Sequence, residues 1–308
     1  MILLCGISSE SPLRMVRDAL DELRLSYVFF NQRKFAKTDF GYEIFGGQVT
    51  GSITIDNQIY DLDDFTGVYT RLMDDTILPE IKALSAKSPL RARARRLHDA
   101  LFQWIEIAPA RVVNRAAAMS SNGSKPFQAQ LITQQGFSVP NTLITNDPEA
   151  AGEFYSQHKQ VIYKSISSVR SIVQMLGEED LRRLEQIRWC PTQFQEFVQG
   201  TNVRVHVVGE RVFATAIETE ATDYRYAYRQ GGDALLSAVK LEDDLAENCV
   251  RLTAALGLAF AGIDLKITPN EEIFCFEINP SPGFSYFENN TGQPIAKAVA
   301  KYLAFKTD

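Results

Sequence analysis

The chain is predicted to fold as an α/β protein of the mixed α+β kind, on three observations. Its first thirty or so residues read strand, helix, strand. Short apolar strands bounded by glycine, proline and asparagine then alternate with helical stretches, and a late hairpin, AGIDLKITPNEEIFCFEIN, sets carboxylates inside apolar strands. At 308 residues, 45% of them apolar and 23% charged, the chain is long enough for two or three domains around substantial cores.

Three blocks follow in order: 1–115, 116–199 and 200–308. In the first, ILLCGI is a strand, the stretch from Pro12 to Leu25 spaces its leucines and valine as a helix, and YVFF is the returning strand of a βαβ unit. GSITIDNQIYDL alternates like a hairpin strand, GVYTRL is another strand, and a helix covers Pro89 to Ile107 before ARVVN closes the block at Asn114. The arginines of RARARR on that helix fit a solvated face better than a phosphate or peptide surface. In the second block a helix from Lys125 to Gln135 is stopped by Gly136, Asp147 and Pro148 open another, and VIYKSI and TQFQEFV are strands on either side of a polar loop. In the third, NVRVHVVGERVFATAIE makes two strands around Gly209 and Glu210, a helix spans Leu241 to Leu256, and the late hairpin follows.

Composition excludes several classes. A formal charge of −6 argues against a general nucleic-acid binder. Four cysteines without metal or redox spacing point to buried free thiols in a reducing compartment, and three scattered histidines give no His-rich metal centre. The start, MILLCGISSE, is too short and too uncharged for a signal peptide, and no apolar run approaches a membrane span, so a cytoplasmic protein with no membrane partner is expected.

The hairpin carries the clearest chemistry. A turn centred between Asn270 and Glu271 sets Asp264 opposite Glu277, with Asn279 two residues further along the same face. Opposed carboxylates repel unless something neutralises them, and magnesium prefers such oxygen ligands; a solvated hairpin face is the bland alternative. A cationic set accompanies it. Lys164 lies in an apolar strand, where a desolvated ammonium needs an anion. The loop SISSVRS follows with hydroxyls and Arg170, Lys125 sits at a helix start, Arg204 alternates with apolar residues, and YRYAYRQGG holds Arg225 and Arg229. Each arginine has an ordinary reading as a surface ion pair, but together they favour a polyphosphate site.

These segments, in this order over 114–282, resemble the ATP-grasp ligases, closest in motif order to their RimK-like and peptide-modifying (graspetide-type) branches. The resemblance implies an ATP-grasp fold: an N-terminal preATP-grasp domain over 1–115, a central subdomain over 116–199 and a C-terminal subdomain with the magnesium site over 200–308. It implies ATP held by Lys125 and Lys164, a flap of Ser165, Ser167, Ser168 and Arg170, and an adenine hinge at Phe197 and Val198 with a polar role for Gln195 or Glu196. Asn202 falls near the ribose, where RimK-like enzymes tend to carry aspartate. Magnesium, with manganese as an alternative, falls to Asp264, Glu277 and Asn279, while Arg204 and Arg225 face the reacting group. The activity implied is ATP-dependent carboxylate–amine ligation through an acyl-phosphate, on a peptide, a protein or a small-molecule carboxylate. A nucleotide-binding regulatory protein is the alternative of a different class, and homo-oligomers are left open.

Overall fold

Four sheets organise the described residues of a computed structural model, which are 1–166, 173–219 and 235–305. The first begins as expected with β1 (Ile2–Gly6), α1 (Ser11–Glu22) and β2 (Tyr27–Asn31), and β6 (Gly67–Thr70) and β7 (Arg111–Val113) extend it into an all-parallel sheet of order β2-β1-β6-β7. Helix α1 starts where the Glu10 carboxylate accepts from the Leu13 amide, with Pro12 in the first turn, and Leu13, Val16, Ala19 and Leu20 form its buried stripe. The short α2 (Pro79–Lys82) leads to α3 (Pro89–Ile107), which buries Ala94, Leu97, Leu101 and Trp104 beneath the opposite face of the sheet. The basic face of α3 is spent locally: Arg93 donates to the Thr38 carbonyl and pairs with Asp39, and Arg95 pairs with Asp74.

GSITIDNQIYDL, expected as one alternating strand, is two. Strands β4 (Gln48–Ile55) and β5 (Gln58–Asp61) turn at Asp56 and Asn57, whose φ of 49° and 67° suit a tight hairpin, and β3 (Phe40–Phe45) joins them as an unexpected third strand. In the next block come α4 (Ala116–Met119), α5 (Lys125–Gln134), β8 (Thr142–Thr145), α6 (Pro148–His158), β9 (Val161–Ser165), β10 (Gln174–Met175), α7 (Glu178–Arg182) and β11 (Thr192–Glu196). Ser124 caps α5, Asp147 caps α6, and Gly136 takes the φ of 87° that ends α5. The strands form an antiparallel sheet of order β10-β9-β11-β8 over a small core of Ala151, Val161, Leu176 and Phe194.

The last sheet has the order β14-β13-β12-β15-β16: β12 (Thr201–Val208), β13 (Arg211–Glu218), β14 (Leu235–Val239), β15 (Phe260–Ile267) and β16 (Ile273–Asn279). Period two divides β12. Val203, Val205 and Val207 pack with α8 (Asp243–Ala255), whereas Asn202, Arg204 and His206 take the other face. Helices α9 (Ser285–Thr291) and α10 (Ile295–Leu303), neither of them anticipated, close the chain. Through α10 the first and last sheets share one core, in which Ile2, Leu4, Leu13 and Leu20 meet Phe260, Phe284, Val299 and Leu303. Among the described residues no helix is long and apolar enough to cross a membrane.

Candidate active site

The cleft lies between the β9–β11 face and the β12–β15–β16 face. Its lining joins Lys164 and Gln195 from the first to Asn202, Asp264, Lys266 and Glu277 from the second, with Phe197 and Val198 at the crossing between the sheets. A second hollow continues from it past Lys125, Asn141 and Thr142, sharing Lys164, Gln195, Phe276 and Glu277.

Strand register places the acidic groups. Asp264 stands opposite Glu277 and Gly262 opposite Asn279, with a bulge between Asp264 and Leu265 that shifts the rest of the hairpin by one residue. Each carboxylate faces a cation: Arg204 Nη1 lies 2.7 Å from Asp264 Oδ1, and Lys125 Nζ lies 2.9 Å from Glu277 Oε1. Lys125 also donates to Asn122 Oδ1 at 3.0 Å. Two carboxylates and the Asn279 amide on neighbouring register positions form an all-oxygen donor set that fits magnesium. The Asn279 Oδ1 accepts from the Ser281 amide at 2.9 Å, which sets the side chain's orientation.

Arg204 is nearly buried. Its guanidinium passes over Gly262, where an added Cβ would come within 2.5 Å of Nη2, and its Cζ lies 5.7 Å from the Phe287 ring. Beyond it on the same strand, His206 is fully buried, T-stacked on Phe287 at 5.0 Å, and among the described residues neither ring nitrogen has a hydrogen-bond partner. Burial first, and the charge of Arg204 second, hold its pKa well below the ordinary histidine value.

The alternation of β11 separates the two hinge candidates. Gln195 lines the cleft and donates to Thr142 Oγ1 at 2.9 Å. Glu196 does not line it: its carboxylate accepts from the Asn141 amide at 2.8 Å and lies 3.3 Å from His158 Nδ1. The polar position facing the cleft is therefore Gln195, because adjacent strand residues point to opposite faces. Ser165 ends β9 in an exposed position opposite Thr192. Ser167, Ser168, Arg170, Arg225 and Arg229 lie outside the described residues.

Several residues that build the site carried no sequence signal. Gln128, three residues after Lys125 on α5, is buried; its Nε2 donates to the Ile278 carbonyl at 2.8 Å and its Oε1 accepts from the Ile278 amide at 3.1 Å, between Glu277 and Asn279. Buried Asn114 donates to the Phe260 and Pro280 carbonyls, both at 2.6 Å, and accepts from the Ala259 amide at 2.8 Å. From the first sheet, Arg71 is bound to Glu10 and donates to Ser281 Oγ at 2.7 Å. Gly262 could have been noticed in AGID, but nothing in a single sequence says what crosses it.

Comparison with known proteins gives a consistent picture. The RimK-like ATP-grasp domain matches residues 123–303. A probable alpha-L-glutamate ligase of Pasteurella multocida (strain Pm70) is 27% identical over 249 residues, covering 77% of this chain and 75% of the relative. Among solved structures, the Chryseobacterium gregarium RiPP-associated ATP-grasp ligase, in complex with ADP and a leader and core peptide, superposes with a TM-score of 0.84 at 23% identity, covering 100% of this chain and 97% of that one. The ATP-grasp ligase PsnB, complexed with a phosphomimetic variant of its minimal precursor, Mg and ADP, gives a TM-score of 0.78 at 26% identity, covering 100% and 98%.

Proposed function

The chain belongs to the RimK-like ATP-grasp family, and from that premise we propose that it is an ADP-forming ligase that activates a carboxylate of a peptide substrate and joins it to an amine or a hydroxyl. The observation that carries this reading is the pair of carboxylate–cation contacts, Asp264 with Arg204 and Glu277 with Lys125, at one end of a cleft whose other end is apolar and carries Phe197 and Val198. The choice of a peptide is supported by the 26% identical neighbour PsnB, solved with a variant of its minimal precursor.

In this reading ATP is a substrate. Phe197 and Val198 receive the base with Gln195 beside it, Asn202 lies level with the ribose, and Lys125, Lys164 and the flap residues Ser165, Ser167, Ser168 and Arg170 hold the phosphates. Asp264, Glu277 and Asn279 would hold magnesium, or manganese in its place, and the bound cation would supply charge withdrawal from the phosphate oxygens. The substrate carboxylate attacks the γ-phosphorus, ADP leaves, and Arg204 and Arg225 hold the acyl-phosphate. An amine or hydroxyl then attacks the acyl carbon, releasing phosphate and a proton. The blocks 1–115, 116–199 and 200–308 act as the three units of this machine. A cytoplasmic location, suited to ATP and to the buried free thiols Cys5, Cys249 and Cys275, belongs to the same reading.

The test is ADP release by the purified protein with Mg-ATP and peptides rich in Asp or Glu with Lys, Ser or Thr, followed by intact-mass measurement. Loss of one water per bond indicates a crosslink within the peptide, and gain of an amino-acid residue indicates ligation of a free amino acid, the outcome favoured by the names of the curated relatives. If Mg-ATP binds and no carboxylate, peptide or small molecule stimulates ADP release, the ligase reading fails.

A further inference from the structure

Lys266 is a cation in the cleft that the reading above leaves without a task. It lies two residues beyond Asp264 on β15, half-buried, and its Nζ sits between two aromatic rings, 5.2 Å from the Phe197 centroid and 5.8 Å from that of Phe276. Among the described residues no carboxylate pairs with it and no hydrogen bond holds it. Half-buried between the two rings, the ammonium has lost water and, among the described residues, gained no anion in return. Its partner across β12 is the neutral Asn202. An aspartate at that position would pair with the ammonium; asparagine leaves its protons for something else.

Position says what that something is. The phosphate end of the cleft is marked by Asp264 and the base end by Phe197, and two strand residues span about 7 Å. That spacing brings Lys266 level with the sugar of a nucleotide lying along β15. An ammonium offers three donors and no acceptor, and the sugar hydroxyl oxygens can accept. We propose that Lys266 recognises the ribose of the bound nucleoside triphosphate, its ammonium donating to a ribose hydroxyl, so that the site prefers ribonucleotides to deoxynucleotides. This rests on the nucleotide site proposed above.

The experiment is calorimetric binding of Mg-ATP, Mg-2′-deoxyATP and Mg-3′-deoxyATP to the whole wild-type chain and to its Lys266→Met, Lys266→Arg and Lys164→Met variants. Wild-type protein should bind ATP roughly 10-fold more tightly than at least one deoxy analogue, the size expected of one charge-assisted hydrogen bond. Lys266→Met should lose about that factor for ATP and bind that analogue as tightly as ATP. Lys266→Arg, which keeps the charge and guards against a packing artefact of methionine, should retain part of the preference. Lys164→Met should weaken all three nucleotides alike.

Equal wild-type affinity for the three nucleotides overturns the proposal, as does a preference that survives in Lys266→Met. A uniform loss across all three in Lys266→Met also overturns it, because the contact would then be to phosphate. If wild-type protein binds no Mg-ATP, the nucleotide site itself falls; if it binds Mg-ATP and only Lys164→Met has an effect, the site stands and the role of Lys266 does not.

Discussion

A missing methyl at Gly262 decides where the Arg204 guanidinium can lie. A Cβ there would meet Nη2 at 2.5 Å and Cζ at 2.7 Å, so Gly262→Ala should displace Arg204 from Asp264 and destabilise the protein by about 1–3 kcal/mol, read as a lower urea midpoint. An unchanged midpoint would mean that the arginine moves aside freely. Glu277→Gln tests the other pair: the amide keeps the volume and loses the charge that faces Lys125, so ATP turnover should disappear while the circular-dichroism spectrum stays native. Full turnover in that variant would remove Glu277 from the metal site. The opposition of Asp264 and Glu277 was expected from a turn centred between Asn270 and Glu271; the pairs next to the turn centre on Asn270 instead, and the bulge between Asp264 and Leu265 restores the opposition. The partners of those carboxylates were not legible in the sequence, since Arg204 is 60 residues from Asp264 and Lys125 comes from a helix on another block.

At the scale of elements, α5 and β16 work as a unit. β16 is an edge strand, and Gln128 supplies to Ile278 the two hydrogen bonds that a neighbouring strand would have made, while Cys275 donates its amide to the Ser138 carbonyl. Gln128→Leu keeps the length and leaves a buried amide and carbonyl unsatisfied, so a loss of about 2–4 kcal/mol is expected in denaturant titration, together with weaker Mg-ATP binding by calorimetry. Loss of stability with unchanged Mg-ATP affinity would separate Gln128 from the site. The end of α5 and the start of α6 were readable from Gly136 and Asp147 because caps are local chemistry. That a mid-helix glutamine would mimic a strand could not be read, because glutamine is an ordinary helix residue until something packs on it.

On the scale of the whole molecule, His206 links stability to pH. Unfolded, its imidazole takes up a proton below about pH 6.5; folded, it stays neutral to a much lower pH. The unfolded chain therefore binds more protons as the pH falls. The contribution is fully present above about pH 6.5 and is lost below it, at up to about 1.4 kcal/mol per pH unit, until the folded pKa is reached. His206→Leu should remove that slope, and parallel stability curves for the two proteins between pH 6.5 and 5 would refute the account. Mg-ATP at about 100 times its Kd should stabilise the wild-type protein by about 2.7 kcal/mol if it binds only the folded state, and Glu277→Gln should lose most of this.

The sequence by itself determined most of the order of elements, the caps at Gly136 and Asp147, the period that puts Asn202, Arg204 and His206 on one face, and the presence of the late hairpin, because each depends on residues a few positions apart. The bulge that sets Asp264 opposite Glu277 came with the folded sheet. Tertiary structure alone decided that Glu196 turns to Asn141 and His158 while Gln195 meets the cleft, that Lys266 sits between Phe197 and Phe276, and that Asn114 and Arg71 hold the loop after Asn279. The hydrogen bonds among these contacts join residues 55 (Asn141 and Glu196) to 210 (Arg71 and Ser281) positions apart. A single sequence carries period and propensity along the chain, but which distant side chains share a partner is settled only when four sheets pack and each buried polar group must find its bond.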